Sequence, residues 1–177
     1  QLAISKMQGY KVSYPVVYDL EYAKASKLSA KTVSEMALTF CNEVRRAGYY
    51  PMVYCNTNWY DNYIDWSLLS GVDVWIARYG DTIQAPDKER YNYTIWQSTD
   101  GNRESGLNST SGLVAGIPAG NDVDMDFGYV DYTKIITPRW SAVSTYEPSA
   151  TPDLDWDDSD VSTGKNGWIT ENGYTYY

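Results

Sequence analysis

The sequence contains no histidine and only two cysteines among its 177 residues. A Ser-His-Asp triad, a Cys-His pair and a histidine-based zinc site are therefore excluded within this chain. Acid–base chemistry must then come from carboxylates or tyrosines. No apolar run approaches the roughly 20 residues that a membrane span requires. The first six residues have no initiator Met and no secretion-signal layout, so we expect the chain to begin inside a longer protein.

Positive charge is also scarce, since the formal net charge is -9 and the pI is about 4.4. A polyanion would be repelled, which disfavours nucleic acid and an anionic membrane surface as partners. The chain has 18 Tyr and 7 Trp against 2 Phe. Rings with polar tips suit stacking against sugars or a wet interface, and a merely Tyr-rich surface is the plain alternative.

The two cysteines are predicted to be free, mostly buried thiols. Cys41 lies about ten residues into a predicted helix, roughly 15 Å along its axis. Cys55 ends the next strand, which returns to the level where that helix began. The two Cα atoms should therefore lie farther apart than the roughly 7 Å that a disulfide allows.

Hydrophobic periodicity predicts strands at residues 15–18, 49–55, 72–77, 93–97 and 123–127. Helices are predicted at 31–47, with Ser29 as a cap, and at 58–69. The Gly-, Ser- and Asn-rich stretch 100–121 predicts a long surface loop. Strand–helix alternation is typical of parallel βαβ units, so five polar strand ends would meet at one face of a barrel or of an open doubly wound sheet. No Gly-rich phosphate loop follows a strand, which disfavours nucleotide binding.

Three segments are predicted along the chain. Residues 1–140 form the α/β part. Residues 141–165 are acidic and Pro-rich, which is typical of a linker. Residues 166–177 contain an Asn172-Gly173 turn between two short apolar stretches, which predicts a β-hairpin.

Asp19 and Glu21 are two residues apart on a predicted strand, so their side chains share one face. Two adjacent carboxylates do not both ionise readily, and a proton donor beside a charged carboxylate is what glycosidic cleavage requires. Asp124 and Asp126 repeat this arrangement on the fifth strand. Ordinary solvated charge and a Ca²⁺ or Mg²⁺ site are the alternatives, although the spacing of a dedicated calcium loop is absent.

Further candidates for substrate contact lie near strand ends: Tyr54, Arg78, Tyr79, Trp96 and Gln97. Arg78 could equally pair with the carboxylates. Trp75, in the middle of a strand, is expected to belong to the core. Trp96 is left open, because its neighbour Gln97 could equally be the residue that faces inward.

Five motifs occur in order at residues 14–21 (YPVVYDLE), 48–54 (GYYPMVY), 74–79 (VWIARY), 95–97 (IWQ) and 123–126 (VDMD). Together they resemble glycoside hydrolase family 25, the bacterial and phage muramidases, over about residues 1–133. The resemblance implies a (β/α) TIM-type barrel that hydrolyses the β-1,4 bond between N-acetylmuramic acid and N-acetylglucosamine in peptidoglycan.

By the same resemblance, Glu21 is the general acid, Asp19 its neighbouring carboxylate and Asp124 a further site carboxylate, and Tyr54 forms a hydrogen bond in the site. The implied partner is the peptidoglycan glycan strand, met outside the cell at the wall, with no cofactor and no metal. The chain departs from the family at Asp126, where Asn is more frequent.

Family members also begin with three further strands, the first of which carries a site Asp. We therefore expect the chain to be a partial barrel, about its last five strands, with weak or no activity alone. The C-terminal hairpin resembles the start of an aromatic cell-wall-binding repeat. The rival hypotheses are a non-catalytic glycan-binding module and another sugar-active barrel, such as a chitin or xylan hydrolase.

Overall fold

A computed structural model describes residues 2–22, 24–80, 83–101, 110–138, 169–171 and 174–176. The chain divides into two compact units, Gln1–Glu147 and Pro148–Tyr177. The predicted linker, 141–165, lies outside the described residues. The three predicted segment boundaries therefore stay predictions.

The first unit alternates strands and helices in the predicted order. Its helices are α1 (Leu2–Met7), α2 (Ala30–Arg46) and α3 (Thr57–Asn62). Its strands are β1 (Val16–Asp19), β2 (Pro51–Asn56), β3 (Asp73–Ala77), β4 (Ile95–Thr99) and β5 (Met125–Gly128). Short 3₁₀ turns lie at Ala25–Lys27 and Tyr132–Lys134. Every predicted strand is present within two residues of its predicted bounds.

Helix α2 forms as predicted because its ends and its apolar face agree with the helical period. The Ser29 hydroxyl accepts the backbone N–H of Thr32 at 3.1 Å, which confirms the predicted cap. Gly48 follows the helix with a φ of +84°, a conformation that glycine adopts without strain. One face of the helix is fully buried against β1 and β2: Val33, Ala37, Cys41 and Val44.

The second predicted helix, 58–69, is wrong in length, since α3 ends at Asn62. Two contacts divert the chain. The Trp66 indole N–H donates to the Tyr60 carbonyl at 3.0 Å, an oxygen that a continued helix would give to residue 64. The backbone N–H of Asp65 donates to the buried Ser34 hydroxyl of α2 at 2.7 Å. These tertiary contacts replace the next helical turn.

The sheet has the order β1-β2-β3-β4-β5. Its first three pairings are parallel, but β5 runs antiparallel to β4, so the prediction of five parallel strands is wrong at the last strand. A parallel neighbour needs a crossover connection, usually a helix, and the described part of residues 100–124 contains turns without a helix. The first residues of β5 therefore lie beside the last residues of β4, with Met125 opposite Thr99.

Alternation along the strands divides the sheet into two faces. The face toward α2 forms a core of buried residues that includes Leu20, Val53, Cys55, Val74, Ile76 and Trp96. Cys41 and Cys55 are both free and buried in this core, as the sequence predicts. The other face carries the intervening residues of each strand.

A polar cluster lies at the amino-terminal end of the parallel strands. The Asp73 carboxylate accepts the hydroxyls of Tyr132 at 2.6 Å and Tyr50 at 2.9 Å. Tyr132 is fully buried and also shares a 2.6 Å hydrogen bond with the Thr94 hydroxyl. The cluster ties the chain that follows β5 to the beginning of β3.

In the second unit, β6 (Ile169–Glu171) and β7 (Tyr174–Tyr176) pair antiparallel, with Ile169 opposite Tyr176. This pair lies where the sequence predicts a hairpin. None of the helices in the described ranges is long and apolar enough to cross a membrane.

Candidate active site

Asp19 and Glu21 lie at the carboxyl end of β1, on the face away from α2. Leu20, which lies between them in the sequence, is buried in the core. Tyr18, which precedes Asp19, stacks on Phe40 of α2 with ring centroids 4.8 Å apart. The backbone N–H of Leu20 donates to the Tyr54 carbonyl at 2.8 Å, so strand geometry continues past Asp19. The two carboxylates therefore emerge together, as alternation predicts.

Strand β2 places Tyr54 beside the carboxylates, because Tyr54 is the register partner of Asp19. The Tyr54 hydroxyl donates to Gln97 Oε1 on β4 at 2.7 Å. The Tyr79 hydroxyl, just beyond β3, donates to the same oxygen at 2.9 Å. Gln97 is 4% exposed. One buried amide oxygen thus joins side chains from three neighbouring strands.

Trp75 belongs to this face as well, which corrects its assignment to the core. Its indole N–H donates to Asp126 Oδ1 at 2.7 Å. Its ring meets the Tyr54 ring edge-on, with centroids 5.2 Å apart. The signal was present in the sequence: Val74 and Ile76 are the apolar residues of β3, so the residue between them faces the other way.

The structure resolves the position of Trp96, which the sequence left open between the core and substrate contact. It is 4% exposed within the core, and Phe127 stacks on it at 5.0 Å. Its indole N–H donates to the Arg78 carbonyl at 3.0 Å. Because Gln97 takes the site face, the period of two turns Trp96 toward the helices, and Trp96 does not line the cavity described below.

Arg78 is exposed, and its guanidinium lies 3.4 Å from the carbonyl oxygens of Gln84 and Ala85. Among the ion pairs of the described residues, none joins Arg78 to the Asp/Glu pair. The alternative in which Arg78 neutralises the carboxylates is therefore not what the structure shows.

A cavity of about 340 Å³ opens beside these groups. Its lining residues are Glu21, Tyr54, Asn56, Thr57, Asn58, Ala77, Arg78 and Tyr79. One carboxyl group, one guanidinium, two phenols and two amides therefore surround a single space. Asn56, the last residue of β2, is one of the polar strand ends that the sequence predicts at this face, whereas Asn58, in the first turn of α3, was not among the predicted contacts.

Burial raises the pKa of Asp19. Burial, and then the charge of Asp19, raise the pKa of Glu21. The pKa of Tyr79 is raised mainly by burial and further by the charges of Asp100, Asp124 and Glu21. Glu21 and Asp124 therefore act on the same phenol, which indicates that these two carboxylates surround one site.

Asp124 and Asp126 reach this edge by a different route from the predicted one. Because β5 is antiparallel, these residues begin the strand instead of ending it, and Asp126 is the register partner of Gln97. The pKa of Asp126 is raised by burial and by the charge of Asp124, and the Trp75 hydrogen bond opposes that rise. Within the described ranges, no group of three or more Cys, Asp or Glu side chains is arranged to hold a metal ion.

Comparison with known proteins gives two matches. A family model described as glycosyl hydrolases family 25 matches residues 2–107. The crystal structure of the CTP1L endolysin, a protein whose activity is regulated by a secondary translation product, is similar in fold, with a TM-score of 0.54 and 22% identity. The alignment covers 74% of this chain and 41% of the endolysin chain, so the chain spans about two fifths of that protein. No curated protein matches.

Proposed function

The chain belongs to glycosyl hydrolase family 25, and we propose that it carries the acid site of a peptidoglycan lysozyme. In this proposal the bond cleaved is the β-1,4 bond between N-acetylmuramic acid and N-acetylglucosamine. The observation that supports it best is the Asp19–Glu21 pair, whose two side chains share one strand face beside the 340 Å³ cavity.

Glu21 is the proposed general acid. Its raised pKa favours the protonated form, and the negative charge of Asp19 contributes to that shift. In the proposed step Glu21 gives its proton to the glycosidic oxygen as the bond to the anomeric carbon breaks. Asp19 and Asp124, when ionised, stabilise the positive charge that develops on the sugar ring. Water then supplies the hydroxyl group at the anomeric carbon, and its proton returns to a carboxylate.

The remaining polar groups of the cavity are proposed to hold the glycan. Arg78 is exposed at the cavity and suits the lactyl carboxylate of muramic acid, because a guanidinium binds carboxylates with two donors. Tyr54 and Tyr79 line the cavity, and Gln97 and its register partner Asp126 lie on the same face of the sheet. A mouth rich in aromatic and amide groups is suited to sugar rings and their acetamido substituents.

We further propose that the protein acts outside the cell at the wall and that the C-terminal strand pair belongs to a wall-binding element. In the described residues β1 and β5 are the two edges of the sheet. Open edges leave the site walls unsupported on two sides, so we expect this chain alone to cleave slowly.

The test is turnover of purified peptidoglycan, read as new reducing ends and identified by mass spectrometry. Wild type should release products that end in N-acetylmuramic acid, and Glu21→Gln should reduce the rate at least about 100-fold, the lower range for a general acid. Glu35→Gln, at an ion-paired position on α2, is the matched control and should keep the wild-type rate.

Two outcomes would overturn the proposal. Cleavage that survives Glu21→Gln would remove Glu21 as the acid. Cleavage of chitin or xylan in preference to peptidoglycan would support a different sugar-active enzyme. The non-catalytic rival predicts that no reducing ends form. It also predicts that the protein binds cell walls, that Glu21→Gln and Asp124→Asn leave this binding unchanged, and that deletion of residues 166–177 abolishes it.

A further inference from the structure

Gln97 receives the hydroxyl protons of two tyrosines at one atom. Tyr54 donates to its Oε1 at 2.7 Å and Tyr79 at 2.9 Å. A phenol has a single proton to donate. The two phenols also lie within hydrogen-bond reach of each other. While the bonds to Gln97 persist, neither hydroxyl proton is available to any other group, and each oxygen can act toward the cavity only as an acceptor.

The acceptors that would compete for those protons are the site carboxylates. Tyr54 is in register with Asp19, and Tyr54, Tyr79 and Glu21 line the same cavity. The groups with charge or titratable protons on the side of Glu21 are Asp19 on β1, Tyr54 on β2, Arg78 and Tyr79 after β3, and Asp124 before β5. The charge of Glu21 also acts on Cys55, which lies on the opposite, core face of β2. Among these, the two phenols are the neutral donors whose orientation is set by Gln97.

We propose that Gln97 is a positioning residue that keeps the hydroxyl protons of Tyr54 and Tyr79 directed away from Asp19 and Glu21. A hydrogen bond donated to a carboxylate stabilises its ionised form. By retaining both protons, the Gln97 oxygen prevents that stabilisation and helps Glu21 to stay protonated. The role of Glu21 as the acid belongs to the proposed function, on which the significance of this arrangement rests.

The experiment is a ¹³C NMR titration of the side-chain carboxyl groups of the whole chain, with the Glu21 and Asp19 signals assigned by Glu21→Gln and Asp19→Asn. Gln97→Met keeps the length of the side chain and removes the acceptor. We expect the pKa of Glu21, or of the coupled Asp19–Glu21 pair, to fall by about one unit, because the released phenols then donate to the carboxylates.

Two matched variants isolate the phenol protons. Tyr54→Phe combined with Tyr79→Phe, with Gln97 intact, should leave the pKa of Glu21 near its wild-type value. The same double change added to Gln97→Met should return the lowered pKa toward wild type. Gln97→Glu keeps an acceptor oxygen and adds a negative charge that by itself raises the pKa of Glu21, so a lowered pKa in this variant would contradict the proposal.

An unchanged pKa in Gln97→Met would overturn the proposal. So would a pKa that rises in the double Phe variant, because the phenols would then already donate to the carboxylates in the wild-type protein. If Gln97→Met does not fold, the double Phe variant and Gln97→Glu still decide. Because the titration needs no turnover, a failed positioning role and a failed hydrolase assignment give different results.

Discussion

The indole N–H of Trp75 reaches Asp126 across an intervening strand. Trp75 lies on β3 and Asp126 on β5, with β4 between them, and the two atoms are 2.7 Å apart. Strands two positions apart are separated by about 10 Å, so only a long side chain such as Trp closes the gap. The hydrogen bond passes over the site face of β4 and connects β3 to β5 at the end of the sheet where the carboxylates lie.

Asp126 is expected to act mainly as the acceptor for this indole. Asp126→Asn keeps an acceptor oxygen and removes a charge beside Asp124, so the free energy of unfolding at neutral pH should be unchanged or higher. Asp126→Ala removes the acceptor and should lower it by about 1 kcal/mol. Urea unfolding measures both, with exposed Asp122→Ala as the control. Equal losses in Asn and Ala would contradict the prediction.

The carboxyl pair should make the protein less stable as the pH rises. Because the folded-state pKa of Glu21 is raised, the native state binds more protons than the unfolded state above the ordinary glutamate pKa. The free energy of unfolding therefore falls as the pH rises from the ordinary glutamate pKa to the raised pKa of the folded state, and it stays lower at higher pH. Glu21→Gln should increase stability at pH 7 and leave it unchanged at pH 3. Urea unfolding at both pH values checks this, and Glu35→Gln should not show the same difference.

The Tyr132 hydroxyl should contribute measurably to stability. Tyr132→Phe removes the donor to Asp73 and the partner of Thr94 in a fully buried position. We expect the free energy of unfolding to fall by about 1–3 kcal/mol, the cost of leaving buried polar groups unsatisfied. Tyr10→Phe is the matched control, because Tyr10 is 68% exposed and should change stability by less than about 0.5 kcal/mol. Equal effects at the two positions would refute this assignment.

Both thiols should be inert in the folded protein. Burial raises the pKa of Cys41 to about 11 and raises that of Cys55 further, so the reactive thiolate is scarce at pH 8. Labelling with a disulfide reagent at pH 8 should therefore proceed only as fast as the protein opens, and both thiols should react at once in urea. Rapid labelling of either thiol without denaturant would contradict this prediction.

The parallel part of the sheet was predictable because its strands and α2 obey simple periods. The apolar face of α2 and the Ser29 cap are local features, and the structure retains them. The end of α3 was not predictable, since it depends on Ser34, which is 31 residues away from its partner Asp65. The direction of β5 was missed for a similar reason: a strand of alternating residues has the same pattern in either direction.

Within the site, the period of two correctly indicated that Asp19 and Glu21 share a face. The same rule tells which face of the sheet Trp75 and Trp96 occupy, but only once the face of one other residue on each strand is known. That Gln97 has two phenol donors could not be derived from sequence, because Tyr54 and Gln97 are 43 residues apart. Spatial convergence on one oxygen is a property of the register between strands.

The antiparallel pairing of β5 also bears on how much the connection between β4 and β5 can vary in length and sequence. Two antiparallel neighbours can be joined by a loop of two residues, yet residues 100–124 separate the end of β4 from the start of β5. Within this connection, the Thr110 hydroxyl forms hydrogen bonds with the backbone N–H and carbonyl of Val123. Gly101 lies against this contact, and a methyl group at Gly101 would come within 2.5 Å of the Thr110 hydroxyl. Because this contact closes residues 111–122 into a loop outside the sheet, changes in the length or sequence of that loop are expected to leave the pairing of β4 and β5 in place.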